Sequence, residues 1–167
     1  MTSSDSDSGY AAYIAGLPKV LAGAACLLRD ADGRVLLVEP GYREGWALPG
    51  GTVESDAGET PRQAARRETR EEIGLDIEPG ALLAVDWVFG PARPPIVAYV
   101  YDGGVLRGEQ FRSIRLQESE LLSWKLVARE EIPTYLLGPL GPRVLAALDT
   151  VSAGTGPAEL VDGRPPR

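Results

Sequence analysis

Residues 60–74 carry the start and stop signals of one short α-helix, and this segment constrains the fold more than any other part of the sequence. Thr60 is a residue type that caps helix N-termini, and Pro61 is well suited to a first turn. Gly74 can adopt the left-handed conformation that commonly ends a helix. The sequence therefore predicts a helix with both ends defined, and it assigns Gly74 a structural role.

Three acidic side chains share one face of this predicted helix: Glu68, Glu71 and Glu72. Because positions three and four apart are neighbours on a helix, their carboxylates converge and repel one another. A hard divalent cation would neutralise this cluster, with Mg²⁺ expected and Mn²⁺ as an alternative. Zinc is disfavoured, since the chain has no histidine and one cysteine. A solvated face with ordinary ion pairs, such as Arg67 with Glu71, would leave the crowding of three acids unexplained.

The segment from Glu59 to Leu75 resembles the Nudix box, a motif that combines a glutamate, Arg-Glu, Glu-Glu, and a glycine followed by an apolar residue. Gly51 resembles the glycine that opens the box, but seven residues separate it from Glu59, two more than is usual in the family. The resemblance implies that the Gly51 carbonyl is a metal ligand beside the helix carboxylates. Arg67 is predicted to orient those carboxylates, with Glu59 as its supporting partner.

The resemblance implies metal-dependent hydrolysis of the diphosphate linkage in a nucleoside diphosphate derivative. Water is the nucleophile, and the products are a nucleoside monophosphate and a phosphorylated remainder. Divalent cations held by the carboxylates would shield the diphosphate charge and lower the pKa of bound water. These expectations assign catalytic roles to Glu68, Glu71, Glu72 and Arg67.

The residue that accepts a proton from water has several candidates, including Glu68 and Glu72. Many Nudix enzymes carry a further acidic residue shortly before a tryptophan-bearing strand, and the segment LLSWKLV resembles that strand. Glu118 has the better spacing to Trp124, whereas Glu120 directly precedes the strand. Both are included as candidate catalytic residues, although ordinary surface acids are an equally good interpretation.

The substrate depends on residues outside the box. Aromatic rings can stack on a nucleobase and arginines can bind phosphate. The candidates for substrate binding are Tyr42, Arg43, Trp46, Trp87 and Arg93. Pro91 lies about as far downstream of the box as a proline typical of ADP-ribose pyrophosphatases, which favours ADP-ribose or another sugar nucleotide. The alternatives are a nucleoside triphosphate pyrophosphatase and a non-catalytic Nudix module that senses nucleotides.

Apolar runs bounded by turn residues predict strands, with helices interspersed irregularly. The predicted strands are residues 20–28, 35–39, 46–48, 81–89, 96–101 and 122–127. Beyond the box helix, a short helix is predicted near residues 129–131 and a longer one over residues 139–150. This pattern predicts an α/β fold, and the resemblance specifies a Nudix-type α/β/α sandwich around a mixed β-sheet.

A single domain is expected from the length of 167 residues, of which 44% are hydrophobic. The start of the chain is polar and acidic, and its end is rich in small residues, glycine and proline. We therefore expect a flexible acidic N-terminal tail over residues 1–15 and a flexible C-terminal tail over residues 152–167. The Nudix hydrolase domain is expected over residues 16–151.

The net charge of -7 argues against nucleic acid as the main partner, so a small-molecule nucleotide is expected. No apolar run is long enough to span a bilayer, and Cys26, the only cysteine, lies in an apolar run that predicts a core position. These features predict a cytoplasmic protein without membrane contact. The family resemblance makes a homodimer possible, although no stripe in the sequence indicates one.

Overall fold

A mixed β-sheet is the central layer of the fold in the computed structural model, which describes residues 3–167. Its seven strands within this range are β1 (Leu21–Arg29), β2 (Val35–Pro40), β3 (Gly50–Thr52), β4 (Leu82–Val88), β5 (Ile96–Val105), β6 (Leu121–Val127) and β7 (Ala158–Val161). The strand order is β6-β2-β1-β5-β4-β7, and β3 pairs separately with β1. β1 is parallel to β5 and β4 is parallel to β7, whereas the other pairs are antiparallel.

Five α-helices lie within the described residues: α1 (Ser3–Gly16), α2 (Pro61–Ile73), α3 (Gly108–Ser113), α4 (Ile132–Tyr135) and α5 (Leu140–Ala153). α2 packs against β1 and β3, and α5 packs against β4. Two apolar clusters fill the layers on the two faces of the sheet, one with residues of α2 and the other with residues of α5. This arrangement confirms the predicted α/β/α sandwich around a mixed sheet.

Side chains of β1 point alternately to the two faces of the sheet, so this strand contributes residues to both apolar clusters. Ala24, Cys26 and Leu28 belong to the cluster on the α2 side, whereas Leu27 belongs to the cluster on the α5 side. Because both faces are buried, the strand is almost continuously apolar. Cys26 is fully buried, which confirms its predicted place in the core, and burial raises the pKa of its thiol.

Both ends of α2 form as the sequence predicts. The Thr60 side chain accepts a hydrogen bond from the Gln63 backbone N–H, and the Gln63 side chain accepts one from the Thr60 N–H. This reciprocal capping box stabilises the first turn. Gly74 ends the helix with a φ of 76°, and its N–H donates to the Arg70 carbonyl. α2 therefore begins and ends at fixed residues, which sets the face that its glutamates occupy.

Most predicted strands are present, with shifted ends. The predictions over residues 20–28, 35–39, 81–89, 96–101 and 122–127 correspond to β1, β2, β4, β5 and β6. The strand predicted over residues 46–48 is wrong, because only an isolated bridge joins Ala47 to Val38 there. Ala47 exchanges both backbone hydrogen bonds with Val38, and the Trp46 N–H points away from β2 and donates to the Tyr135 carbonyl.

Both helices predicted after the box are present, but only one of them is an α-helix. Residues 129–131 form one turn of 3₁₀ helix, and the longer prediction corresponds to α5. Five elements have no counterpart among the predictions: α1, β3, α3, α4 and β7.

The flexible tail predicted over residues 152–167 is wrong. α5 continues to Ala153, and β7 then pairs with β4 at the edge of the sheet. Leu160 is buried in the cluster on the α5 side, and the Gly163 N–H donates to both carboxylate oxygens of Asp86. The composition of this segment indicates disorder. The burial of Leu160 and the hydrogen bonds from Gly163 to Asp86 nevertheless fix it against the sheet. The folded part therefore extends beyond residue 151.

At the other end, α1 covers most of the segment predicted to be a flexible tail. Residues 1 and 2 of that predicted tail lie outside the described residues. The side chains of residues 8–20 are exposed, and no described residue of α1 belongs to either apolar cluster. The predicted flexibility of this segment stays a prediction. Across residues 3–167, every helix is too short or too polar to cross a membrane.

Candidate active site

The carboxylate face of α2 lies against β3. The Gly50 N–H donates a 2.9 Å hydrogen bond to Glu72 Oε2, and Glu72 is only 5% exposed. Gly51 lies so close to the Glu68 carboxylate that a Cβ at this position would collide with it. A Cβ on Gly50 would collide with the backbone of β1. Gly50 is therefore needed for β3 to lie this close to β1, and Gly51 leaves the space that the Glu68 carboxylate occupies.

Arg67 joins the α2 carboxylates to the segment that follows β3. Its Nε and Nη2 donate to the two carboxylate oxygens of Glu59 at 2.7 and 3.0 Å, and Nη2 also donates to the Thr52 carbonyl at 3.0 Å. Nη1 donates to Glu68 Oε1 at 2.9 Å and to Glu71 Oε2 at 3.0 Å. The guanidinium thus orients two of the carboxylates predicted to bind metal, which is the arrangement that its predicted role requires.

The two extra residues of the box are accommodated in a separate turn. Ser55–Ala57 forms one turn of 3₁₀ helix, which Gly58 ends in the left-handed conformation. Across the base of this turn, the Glu54 N–H donates to Glu59 Oε2 at 2.9 Å. Hydrogen bonds from Arg67 to the same carboxylate hold the pKa of Glu59 below its ordinary value. The insertion is closed at its base, so the contact between β3 and α2 is kept.

Burial dominates the electrostatics of Glu72. It raises the pKa of Glu72 to about 7, and the charges of Glu68 and Glu120 act in the same direction. The hydrogen bond from Gly50 and the charge of Arg43 act in the opposite direction. Burial raises the pKa of Glu68 as well. A bound cation would offset the free-energy cost of burying these charged carboxylates, and it would also reduce their mutual repulsion.

The donor set at this face consists of carboxylate and backbone oxygens, which suits a hard divalent cation such as Mg²⁺. Within residues 3–167, however, no three acidic, histidine or cysteine side chains are gathered closely enough to enclose a metal ion. Arg67 bonds one oxygen each of Glu68 and Glu71, and Gly50 bonds one oxygen of Glu72, so each carboxylate keeps a second oxygen for a cation. The metal ligands therefore stay predictions: Glu68, Glu71, Glu72 and the Gly51 carbonyl.

The structure distinguishes the two acids that precede β6. The Gln117 N–H donates to the Glu72 carbonyl at 2.9 Å, which attaches this loop to the end of α2. Glu120 accepts a 3.2 Å hydrogen bond from the Gln117 side chain, and its charge acts on both Glu68 and Glu72. Glu118 is exposed and has no hydrogen-bond or ion-pair partner in the described part of the chain. Sequence spacing favours Glu118, but it is Glu120 that lies near the carboxylate face.

A cleft of about 340 Å³ begins at Gly50 and Gly51 and extends over β1 and β5 to α5. Its volume is within the range of roughly 300 to 1,000 Å³ that is typical of small-molecule sites. A larger concavity of about 940 Å³ beside the C-terminal residues shares no lining residue with it. The smaller cleft is the candidate substrate site, because its two glycines contact the α2 carboxylates.

Of the predicted substrate-binding residues, Tyr42 and Arg43 line this cleft. The others are not among the lining residues: Trp46, Trp87 and Arg93. The two tryptophan rings pack edge-on against Tyr135 and Phe89, respectively, and the arginine donates to the adjacent Pro94 carbonyl. Sequence alone does not show which way a ring or a guanidinium points, so only part of this set is brought together.

Tyr99 in β5 and Arg143 in α5 also line the cleft, and the sequence-based set contains neither. The signal for Arg143 is indirect. Asp86 interrupts the apolar run LLAVDWV of β4, and a buried carboxylate needs a cationic partner. The sequence shows this need but does not identify which arginine meets it.

The family follows from a comparison with known proteins. A family model described as the NUDIX domain matches residues 19–148. The chain belongs to the Nudix hydrolase family. The match includes α2 with its carboxylate face and every described strand except β7. The resemblance seen in the box is therefore confirmed for most of the chain.

Proteins similar to this Nudix hydrolase carry different names. A MutT-like protein of Streptomyces ambofaciens is 33% identical over 138 residues, which cover 80% of this chain and 77% of the relative. The 8-oxo-dGDP phosphatase NUDT18 of Homo sapiens is 34% identical over 119 residues, which cover 67% of this chain but only 33% of that protein. The solved structure of the MutT protein of Methanosarcina mazei Go1 has a TM-score of 0.66 at 24% identity, covering 81% of this chain and 96% of that one. This last likeness supports the fold alone.

Proposed function

We propose that this Nudix hydrolase cleaves the diphosphate linkage of a nucleoside diphosphate derivative, giving a nucleoside monophosphate and a phosphorylated product. The observation that carries the proposal is the position of the cleft, which begins at the two glycines that contact Glu72 and Glu68. A diphosphate bound at this end lies beside the carboxylate face of α2. The relative NUDT18 is named for 8-oxo-dGDP, itself a nucleoside diphosphate, which supports the same substrate class.

ADP-ribose or another sugar nucleotide is the first substrate class to test, because of the position of Pro91 relative to the box. Nucleoside triphosphates are the second class. The net charge of -7 supports a small-molecule substrate over a nucleic acid. We also propose that the protein is cytoplasmic, does not contact a membrane and forms a homodimer.

Glu68, Glu71 and Glu72 would hold Mg²⁺, with Mn²⁺ as the alternative. When bound, such a cation shields the diphosphate charge and lowers the pKa of water. Arg67 keeps Glu68 and Glu71 aligned through its Nη1. Arg43 lines the cleft and its charge acts on Glu72, so its guanidinium can bind a phosphate oxygen of the substrate.

Glu120 is the proposed proton acceptor. The three α2 carboxylates are assigned to the cation, which favours a base from another element over Glu68 and Glu72. Glu120 is exposed, and its charge acts on Glu68 and Glu72, which supports a position within reach of the attacking water. Glu118 is the competing assignment, and single substitutions of the two residues separate them.

A substrate panel tests the proposed function. The full chain is incubated with ADP-ribose, other sugar nucleotides and nucleoside triphosphates in Mg²⁺ or Mn²⁺, and phosphate is measured after coupling to a phosphatase. The E71Q-E72Q double variant is the inactive control, and E109Q on the exposed side of α3 is a matched surface control. Turnover by wild type and E109Q, but not by the double variant, is expected. Nucleotide binding without turnover in either metal would overturn the proposal and favour a nucleotide-sensing module.

A further inference from the structure

A buried ion pair lies on the α5 side of the sheet, apart from the carboxylate face of α2. The Asp86 side chain in β4 is 0% exposed, and Arg143 donates from Nε to its Oδ2 at 2.8 Å. The Gly163 N–H donates to both Asp86 oxygens at 3.0 and 3.1 Å. A buried carboxylate is stable only when it is paired and hydrogen-bonded in this way. Asp86 therefore holds the guanidinium of Arg143 in one position.

Arg143 keeps donors that the protein does not use. Within residues 3–167 only its Nε is hydrogen-bonded, so Nη1 and Nη2 have no partner there. Both atoms remain accessible, because Arg29 Nε is the only buried side-chain nitrogen or oxygen of the described residues without a partner. The Arg143 side chain is 12% exposed and lines the cleft where it meets α5. A molecule in the cleft can therefore accept hydrogen bonds from this guanidinium.

Arg143 and the two glycines that contact the α2 carboxylates line different ends of the cleft. One row of paired residues crosses the sheet from Thr52 in β3 through Gly23 and Ala98 to Asp86 in β4. Neighbouring strands are about 4.8 Å apart, so this row spans roughly 14 Å. A nucleotide whose diphosphate lies at the β3 end can therefore present its base to Arg143 at the other end.

The surroundings of Arg143 suit a nucleobase better than a second phosphate. Asp86 already compensates the charge of Arg143, so the pair offers directional donors with little net attraction for an anion. Leu140, one turn earlier in α5, and Ala98, the partner of Asp86 in β5, supply apolar lining nearby. Arginine donors match two acceptors on one edge of a base, as O6 and N7 of guanine provide. Adenine presents an amino donor beside its N7 and cannot accept both bonds.

We propose that Arg143 is a specificity-determining residue that binds the O6 and N7 edge of guanine and so selects guanine over adenine nucleotides. The inference rests on the proposed function, because it concerns the substrate of the same cleft. Among sugar nucleotides, it predicts a preference for GDP-linked compounds over ADP-linked ones such as ADP-ribose. Gly163, which supports Asp86, lies beyond the residues that the family model matches, so this support comes from a segment outside the shared domain.

The test compares GDP-glucose with ADP-glucose, which differ only in the base. R143K keeps a cation beside Asp86 but removes the guanidinium fork. It should raise KM for GDP-glucose about tenfold, leave kcat within about twofold, and change KM for ADP-glucose by less than about twofold. R129Q removes an exposed arginine paired with Asp149 and is the matched control that should change neither KM. The D86N-R143Q double variant, which leaves no unpaired buried charge, should lose the guanine preference in the same way.

Equal changes in KM for the two nucleotides, or no change for GDP-glucose in R143K, would overturn the assignment of Arg143. Equilibrium binding of GMP and AMP to the full chain separates this inference from the proposed function. If wild type hydrolyses no sugar nucleotide but binds GMP more tightly than AMP in an Arg143-dependent way, the proposed function fails and the base assignment stands. If wild type hydrolyses both compounds and R143K treats them alike, the function stands and the base assignment fails.

Discussion

Arg67 and Arg143 both bind carboxylates, but they use their donors differently. Arg67 uses all three of its side-chain nitrogens, on three glutamates and one backbone carbonyl. Among the described residues, the Arg143 side chain donates only from Nε, to the fully buried Asp86. An arginine whose donors are all bonded within the protein orients its partners. An arginine with bonded Nε and accessible Nη atoms is fixed in place and still available to a ligand.

The charge balance of the two regions also differs. Around Arg67, one guanidinium faces the carboxylates of Glu59, Glu68 and Glu71, which leaves an excess of negative charge for a divalent cation. On the α5 side, the charges of Asp86 and Arg143 cancel. The first region is therefore suited to a metal and a charged diphosphate, and the second to a neutral part of the substrate.

Removal of the Glu72 charge should give the largest effect. E72Q has nearly the same size and can still accept the hydrogen bond from Gly50, but it cannot contribute negative charge to a metal site. We expect kcat to fall on the order of 10³-fold, because charge stabilisation by a metal is worth several kcal/mol. Steady-state kinetics over a Mg²⁺ titration, with E109Q as the control, measure this loss. Near-normal turnover by E72Q would remove the α2 face from the mechanism.

Substitution of the proposed proton acceptor should have the next largest effect. E120Q should lower kcat on the order of 10²-fold, since a positioned base contributes rate at that scale. E118Q is the matched comparison and should retain wild-type kcat, because Glu118 has no partner among the described residues. Single-turnover rates at saturating Mg²⁺ distinguish the two variants. Loss of activity in E118Q with retention in E120Q would reverse the assignment.

R67K sharpens the comparison between the two arginines. Lysine cannot reproduce the bonds to Glu59, Glu68 and Glu71 together, so the carboxylates lose their alignment. We expect kcat to fall about tenfold or more for every nucleotide, with a weaker apparent Mg²⁺ affinity. R143K, by contrast, should act on KM and only for guanine compounds. Unequal effects of R67K on guanine and adenine nucleotides would contradict this division, in which Arg67 orients the carboxylates and Arg143 selects the base.

The smallest effect is a pH dependence of thermal stability. Burial raises the pKa of Glu72 to about 7, so between its ordinary value and about 7 the folded chain binds more protons than the unfolded chain. Stability in EDTA should therefore fall as pH rises through this window, and Tm should drop by a few degrees. Glu68 shifts in the same direction, whereas the carboxyls with lowered pKa values titrate below this window.

Mg²⁺ should raise Tm more at pH 8 than at pH 5, since the cation binds the ionised carboxylates. E72Q should show a flatter profile in EDTA. Differential scanning fluorimetry from pH 5 to pH 8, with and without Mg²⁺, measures both effects. A Tm that rises with pH in EDTA would contradict the raised pKa of Glu72.

The sequence predicts α2 well because its signals are local. Thr60 and Gly74 define the ends of the helix within one segment, and spacing alone puts the three glutamates on one face. The sheet is also largely predictable, since apolar runs identify strands regardless of their partners. The spacing of Thr60 and Gln63 is also the local signature of a capping box, whereas the contact of Glu72 with Gly50 appears only when the chain is folded.

Contacts between distant segments are the part that the sequence does not show. Asp86 binds Arg143 across 57 positions and Gly163 across 77 positions, so neither partner can be identified from its neighbours. The C-terminal segment is composed like a disordered tail, yet the pairing of β7 with β4 orders it. The choice between Glu118 and Glu120 similarly depends on how one loop attaches to the end of α2.

The one-turn helix at Ser55–Ala57 lets the chain carry additional residues without disturbing the contacts on either side. Glu54 and Glu59 meet at its base, so the path between them can lengthen while its ends stay together. The exposed turn is therefore a suitable attachment point for a reporter group. Cys26 is the only cysteine and is buried, so D56C would provide a single accessible thiol for a fluorescent dye on the segment between β3 and α2.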